Sequence, residues 1–372
     1  YLKNLFDGIN ENKNIKIKPV IITDSKCTKE DLSFFKGIEV IKSNLFSRSN
    51  FNRIINKIII LLLGKNFFIQ RFLVKHKIDA MSHFSILGKK SKIPSIYWQP
   101  DFQEVNNAEY ISFKRKIFRR LNIYLFGYHS NRVLLSSNTV RKTLKKINFE
   151  AYKKSDVLKP TFSNLPIKSF KSIEYIKKKF NIKSNYFFLP NHFWTHKNHI
   201  LVLQSLIELK KKKKLKNIQI VCTGLFNDYR NPNHKNKIIE YIKINRLENN
   251  FIILGIVNFD ELMSLMKFSV AVINPSKSEG WSSTVEQAKS MGKFVLLSNL
   301  PVHKEQNPDR SFFFKVNDYL TLSKKLYFLN KKFSSKHDLL FMKKAFEQTI
   351  EKKKNYILNY EKMIIKVIYL SN

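Results

Sequence analysis

The 372-residue chain is 43% apolar and 26% charged, the balance of a globular protein, which excludes disordered and collagen-like classes. With only 9 Gly and 10 Pro it is no low-complexity linker, and its two cysteines, Cys27 and Cys222, far apart in sequence, exclude a disulfide framework or a cysteine zinc site and fit a reducing cytoplasm. The formal charge of +40 is spread along the chain, with 36 of 68 basic residues in 1–180, so it reads as a compositional bias in Lys, Asn, Ile and Phe rather than a binding tail.

At roughly 100–200 residues per domain, the length predicts two domains. Residues 1–6 read as the middle of a helix with no strand before it, which leads us to expect an upstream segment. Strand-like apolar runs follow at 19–23, 39–41, 80–84, 95–98 and 133–136. Helical periodicity covers 52–75, 113–127 and 139–146 between them. The apolar run at 58–63 falls well short of the ~20 residues a membrane span needs, and no signal-peptide pattern is present. A polar stretch around 161–183, containing Pro166, reads as a linker. A second series has strands at 186–190, 219–223, 251–254, 270–274, 294–298 and 312–314. They alternate with helical patterns at 199–212, 235–245, 260–266, 284–291 and 319–328. Alternating strands and helices predict an α/β fold of two doubly wound parallel sheets, with a long helix over 339–370 closing the chain. Ligands of such sheets bind beyond the carboxyl ends of strands, so the site is expected in a cleft between the domains.

Gly224, Gly255 and Gly280 all fall just after predicted strands, where the backbone turns or approaches a ligand; Gly292 reads as a helix cap. No G-x-G-x-x-G or Walker loop is present. The stretch Pro275-Ser276-Lys277-Ser278-Glu279-Gly280-Trp281-Ser282-Ser283-Thr284-Val285-Glu286-Gln287 reads as strand end, loop and helix start. Ser282, Ser283 and Thr284 offer cap hydroxyls and N–H groups at a positive helix end, a setting that suits a diphosphate. Glu286 in the first helical turn also fits ordinary capping, and Glu279 an ordinary loop charge. A second strand-to-helix turn, Asn191-His192-Phe193-Trp194-Thr195-His196-Lys197-Asn198-His199, holds Lys197 as a point charge for phosphate. Its three histidines have no carboxylate or Cys partner in the motif, so no metal is expected. No D-x-D occurs, which argues against a carboxylate-held Mg²⁺.

These segments, with 255–275 and Ser298-Asn299-Leu300-Pro301-Val302-His303-Lys304-Glu305-Gln306, resemble the carboxyl-terminal domain of glycosyltransferase family 4. The likeness covers about 186–328; the first half matches loosely, at Trp98–Gln103 and Leu135–Ser137. The resemblance implies a GT-B fold: an acceptor domain at 1–160, a linker at 161–183, a donor domain at 184–340, and a helix, 341–372, returning to the first. It implies a retaining transferase of a hexose-type sugar from a nucleotide diphosphate to a glycan or lipid-linked acceptor, in lipopolysaccharide or O-antigen synthesis. By position, Glu279 resembles the family's glutamate beside the donor sugar, Glu286 the one on the ribose, and Lys197 the diphosphate lysine. The glutamates are seven apart where the family spaces them eight, so Glu286 and Gln287 both stand for the ribose contact. His192 stands where the family carries an arginine. Gly224, Gly255, Gly280, Trp281 and Ser282–Thr284 complete the donor set, and Asp101 is an acceptor or sugar contact or else a turn residue. No cofactor is implied.

Two other readings compete. A GT-B epimerase or phosphorylase shares the architecture. A nucleic-acid-binding protein would explain the charge, but aromatic residues sit in apolar periodic positions and Arg is rare beside Lys. The basic helix with Lys114, Arg115, Lys116, Arg119 and Arg120 predicts peripheral contact with an anionic membrane at the cytoplasmic face.

Overall fold

A computed structural model describes residues 2–12, 14–33, 35, 37–47, 49–84, 87–102, 113–162, 165 and 169–370. Gln103 and Pro166, named above, lie outside these residues, as does the side chain of Arg115. The chain divides into two compact units, one holding residues up to Phe102, Phe113–Thr161 and the stretch from Glu351, the other Phe162–Ile350.

The first unit runs α1 (Leu2–Glu11), β1 (Val20–Thr23), α2 (Lys29–Leu32), β2 (Glu39–Lys42), α3 (Asn50–Leu63), α4 (Phe67–Lys75), β3 (Met81–Phe84), β4 (Ser95–Gln99), α5 (Phe113–His129), β5 (Arg132–Leu135), α6 (Asn138–Ile147), α7 (Phe149–Lys153) and β6 (Ser155–Val157). Strands β3-β4-β5-β6 form a parallel sheet, and β1 and β2 a parallel pair. Side chains alternate across a strand, so β5 sends Val133 and Leu135 to one face and Leu134 to the other. Leu134 packs with Leu5 and Ile9 of α1, while Val133 and Leu135 pack with Ile123 and Phe126 of α5. Both faces are covered, which is why these strands read as continuous apolar runs.

The second unit runs α8 (Ile173–Lys179), β7 (Tyr186–Pro190), α9 (His199–Lys211), β8 (Gln219–Thr223), α10 (His234–Ile244), β9 (Phe251–Ile253), α11 (Phe259–Phe268), β10 (Val272–Asn274), α12 (Ser283–Ser290), β11 (Val295–Ser298), α13 (Pro301–Gln306), β12 (Ser311–Phe314), α14 (Tyr319–Lys332) and α15 (Ser335–Tyr369). The first part of α15 belongs to this unit and the part from Glu351 to the first. Its six strands are all parallel, in the order β12-β11-β10-β7-β8-β9. Counted within the unit this is 3-2-1-4-5-6 read from the other edge, the order of a dinucleotide-type doubly wound sheet. Leu189, Cys222 and Ile273 face α9 and α10, and Phe188, Val221 and Val272 face α11 and α12. The direction of winding reverses between β7 and β10, and the crevice beyond their carboxyl ends is the topological switch point.

Three readings of local structure are corrected. The helix expected over 52–75 is two helices, because Gly64 adopts φ +72° and the Asn66 side chain caps α4 by accepting from the Ile69 N–H at 3.0 Å. An apolar pattern that runs through the break hides it. The stretch read as a linker contains α8, capped by Ser172 and anchored by the buried Ile176. Strand β6 and helix α13, each too short to show a period, went unread.

Candidate donor site at the β7 and β10 turns

Both turns singled out in the sequence leave the sheet at the switch point. After β7 the chain makes a 3-10 turn over Thr195–Lys197, and Asn198, in the left-handed conformation at φ +60°, starts α9. Asn is among the few residues that tolerate this backbone. Its side-chain amide donates to the Pro275 carbonyl at 3.2 Å and the Val316 carbonyl at 3.1 Å. The Lys277 N–H donates to the His196 carbonyl at 2.8 Å, so the β7 and β10 turns are bonded to each other.

Where they meet, Lys197 Nζ stands 2.6 Å from Glu279 Oε1, and the Ser276 hydroxyl donates to the same oxygen at 2.7 Å. The Lys197 and Glu279 side chains are only 13% and 9% exposed, so the pair is shielded from water. Burial works against the charge of Glu279, but the Lys197 ammonium, the nearby His303 ring and the two hydrogen bonds prevail and hold its carboxyl at about 2. His196, next to Lys197, is pushed down to about 4 by burial and by that ammonium.

Glu286 lies on α12, whose N-cap Ser282 accepts from the Val285 N–H at 3.4 Å and from Asn274 Nδ2 at 2.7 Å. Gln306 of α13 donates to Glu286 Oε1 and to the Ser282 carbonyl, both at 2.9 Å, and accepts from the Ser282 N–H. Lys289 reaches Glu286 Oε1 at 3.2 Å. Both bonds to Glu286 fall on Oε1. Thr284 donates to the Pro190 carbonyl at 3.3 Å, tying the start of α12 to the end of β7. Gly280 is buried, Ser283 exposed, and Trp281 and Gln287 half-buried.

His192 Nδ1 accepts from the Leu225 N–H at 2.9 Å, which puts the ring proton on Nε2 and makes this exposed side chain a neutral donor. Burial and the Lys197 charge both depress its basicity. Gly224, at φ +125°, presses on the Asn191–His192 peptide: a Cβ there would stand 2.8 Å from the Asn191 carbonyl oxygen. Its N–H donates to the Gly255 carbonyl at 2.7 Å. Gly255 needs only its positive φ of +70°, since no atom lies within 4 Å of a Cβ added to it. Asp101 belongs to the first unit, just after β4, and its carbonyl accepts from Gln99 Nε2.

Several residues of this site went unread. Asp228, 2% exposed, accepts from the Thr195 N–H at 2.8 Å and from Arg230 Nε at 3.0 Å, fixing the turn that carries Lys197. Asn198 and Gln306 stand in the quoted segments without an assigned role, Gln306 as the last residue of α13, and Asp228 is a single polar residue between elements; nothing in their spacing marks what they bond to. In the first unit His83, at φ +60° on β3, lies 5.3 Å from the Trp98 ring, and burial lowers it to about 4. A non-glycine residue at positive φ is a signal that only coordinates give. Among the described residues, no group of three His, Cys, Asp or Glu side chains is placed to hold a metal ion.

Residues 172–339 match the family model of Glycosyl transferases group 1. No curated protein matches the chain. Among solved structures, a glycosyltransferase from Rickettsia africae is similar at 18% identity and TM-score 0.66, over 99% of this chain and 94% of that one. The Anabaena protein HepE, solved with UDP and glucose, is similar at 12% identity and TM-score 0.67, over 98% and 94%. WaaG, a glycosyltransferase of lipopolysaccharide biosynthesis, is similar at 14% identity and TM-score 0.64, over 98% and 94%. The chain has the GT-B fold, and glycosyl transfer is the activity that the match of residues 172–339 to the glycosyl transferases group 1 model supports.

Proposed function

We propose that the protein is a retaining glycosyltransferase that moves a hexose-type sugar from a nucleotide diphosphate to a hydroxyl of a glycan or lipid-linked acceptor in cell-surface polysaccharide synthesis. The observation that carries this reading is the pairing of Lys197 with Glu279 at the switch point, beside the capped start of α12. HepE was solved with UDP-glucose, which supports a donor of that class here. In the proposed complex Glu286, its Oε1 occupied by Gln306 and Lys289, offers Oε2 to the ribose hydroxyls. Lys197 and the first amides of α12 face the diphosphate, with His192 Nε2–H as a further neutral donor. As the C1–O bond loosens, charge builds on the departing phosphate. A preorganised donor stabilises such charge by roughly 3–4 kcal/mol, and in this reading these groups take the place of a metal ion. Glu279 holds Lys197 in place and orients sugar hydroxyls, and Asp101 is kept as an acceptor contact.

Calorimetric titration with UDP-glucose and GDP-mannose, followed by transfer assays in EDTA, tests this. Glu286→Ala is expected to weaken nucleotide-sugar binding at least about tenfold, and Lys197→Ala to depress turnover more than binding. Unchanged binding and donor hydrolysis in both variants overturns the assignment.

A peripheral membrane site on the first unit, at the cytoplasmic face, fits a lipid-linked acceptor. Helices α3 and α5 adjoin, with Lys57 Nζ 2.6 Å from Asn122 Oδ1, and both expose large apolar side chains, Leu62 at 77% and Phe113 at 75%. Lys114, Lys116, Arg119 and Arg120 lie on α5 among them. Exposed apolar side chains on two adjoining helices, with basic residues along one of them, suit anionic lipid. No helix among the described residues is long and apolar enough to cross a membrane.

A further inference from the structure

On the second unit, beside the Lys197–Glu279 pair but lined by neither, a cavity of about 460 Å³ opens between the first turns of α9, α10 and α14. That is within the usual size of a small-molecule pocket. Its charged lining is Lys237 and Lys277, and the His234 ring beside them feels burial first, then the Asp228 carboxylate, then both ammonium groups. His234 lines the cavity and is 5% exposed; its Nε2, itself sealed from solvent, has no hydrogen-bond partner among the described residues. A buried polar atom left unpaired costs roughly 1–3 kcal/mol, which a ligand recovers where a small turn of the ring brings Nε2 to it. Neither α9 nor α10 has a side-chain cap on its N-terminal N–H groups, and residues of both first turns line the space. The nearest buried carboxylate, Asp228, is already neutralised by Arg230 at 3.0 Å, and Asp318 is spent capping Thr321 on α14. The remaining walls mix the amides of Gln204, Asn231 and Asn317 with the Tyr319 ring and the aliphatic Ile200 and Leu201. Amides beside an aromatic face are what a polyol binds through.

We propose that this cavity is a second ligand site that takes a small soluble phosphomonoester of a sugar, with the phosphate between Lys237, Lys277, His234 and the two helix N-termini, and the hydroxyls on the amide wall. The proposal stands on the second unit alone and is independent of the donor assignment. Calorimetric titration of the full chain with glucose 1-phosphate, inorganic phosphate and glucose tests it. Glucose 1-phosphate is expected to bind more tightly than inorganic phosphate, and glucose not measurably. Lys237 is an exposed residue of α10, so Lys237→Glu folds; it is expected to weaken glucose 1-phosphate about tenfold or more, while an excess of UDP leaves the binding to the unaltered chain unchanged. The proposal is overturned if glucose 1-phosphate fails to bind the unaltered chain, if its affinity survives Lys237→Glu, or if an excess of UDP abolishes its binding.

Discussion

Lys197 and Glu279 are two charges removed from water and given to each other. Taking either away leaves the other buried without a counter-charge, which in proteins costs on the order of 3–5 kcal/mol, whereas removing both costs much less. A double-mutant cycle on Lys197→Met and Glu279→Gln is therefore expected to show a coupling above about 1 kcal/mol in urea denaturation. Strict additivity would mean that the pair is open to solvent and gives the site no fixed geometry. Glycines separate in the same way. Gly224 combines a positive φ with a carbonyl 2.8 Å from where a Cβ would stand, while Gly255 has only the positive φ. The two looked alike in sequence, as glycines after strands; contact with the Asn191–His192 peptide is what distinguishes them.

At the scale of elements, α12 is the part on which the proposed donor site rests. Ser282 caps it while accepting from the buried Asn274 amide, and Gln306 clasps the same residue from α13. Loss of an N-cap costs about 1 kcal/mol, and an orphaned buried amide adds roughly 1–3 kcal/mol. Ser282→Ala is thus expected to lower unfolding free energy by about 2 kcal/mol or more, with nucleotide-sugar affinity falling alongside. A loss under about 0.5 kcal/mol in urea titration would show that neither bond holds the turn. The break between α3 and α4 illustrates the reverse problem of reading elements from pattern. Apolar residues continue through Gly64 and Asn66, and only the backbone conformation and the cap reveal the end of one helix and the start of the next.

Across the whole molecule, both units hold histidines neutral. Burial lowers His83 and His196 to about 4 and His199 to about 3, against 6.5 for the free side chain. The native state then binds fewer protons than the unfolded chain below pH 6.5, so stability is full above that pH and is lost as pH falls toward 4. Each such histidine contributes a slope of about 1.4 kcal/mol per pH unit. Glu279, held at about 2 against 4.5, continues the loss in the same direction at lower pH. Urea midpoints are expected to fall steeply between pH 6.5 and 4, less steeply in His196→Asn; a flat profile would show that these rings are hydrated.

Burial on both faces of a parallel sheet writes itself into a chain as apolar runs separated by amphipathic ones. The alternating architecture, the two series of strands and the turns after β7 and β10 were therefore legible in the residues alone. Helix N-termini and their serines are local features, so α12 was legible too. Strand order is not local: β7 and β10 become neighbours only when the sheet winds in both directions, and that adjacency brings Lys197 to a glutamate 82 positions away. Asp228, Gln306 and Asn198 act through bonds to distant backbone, and His83 through a strained φ. Neither leaves a periodic trace, because hydrogen bonds across a fold depend on proximity in space and not on spacing along the chain.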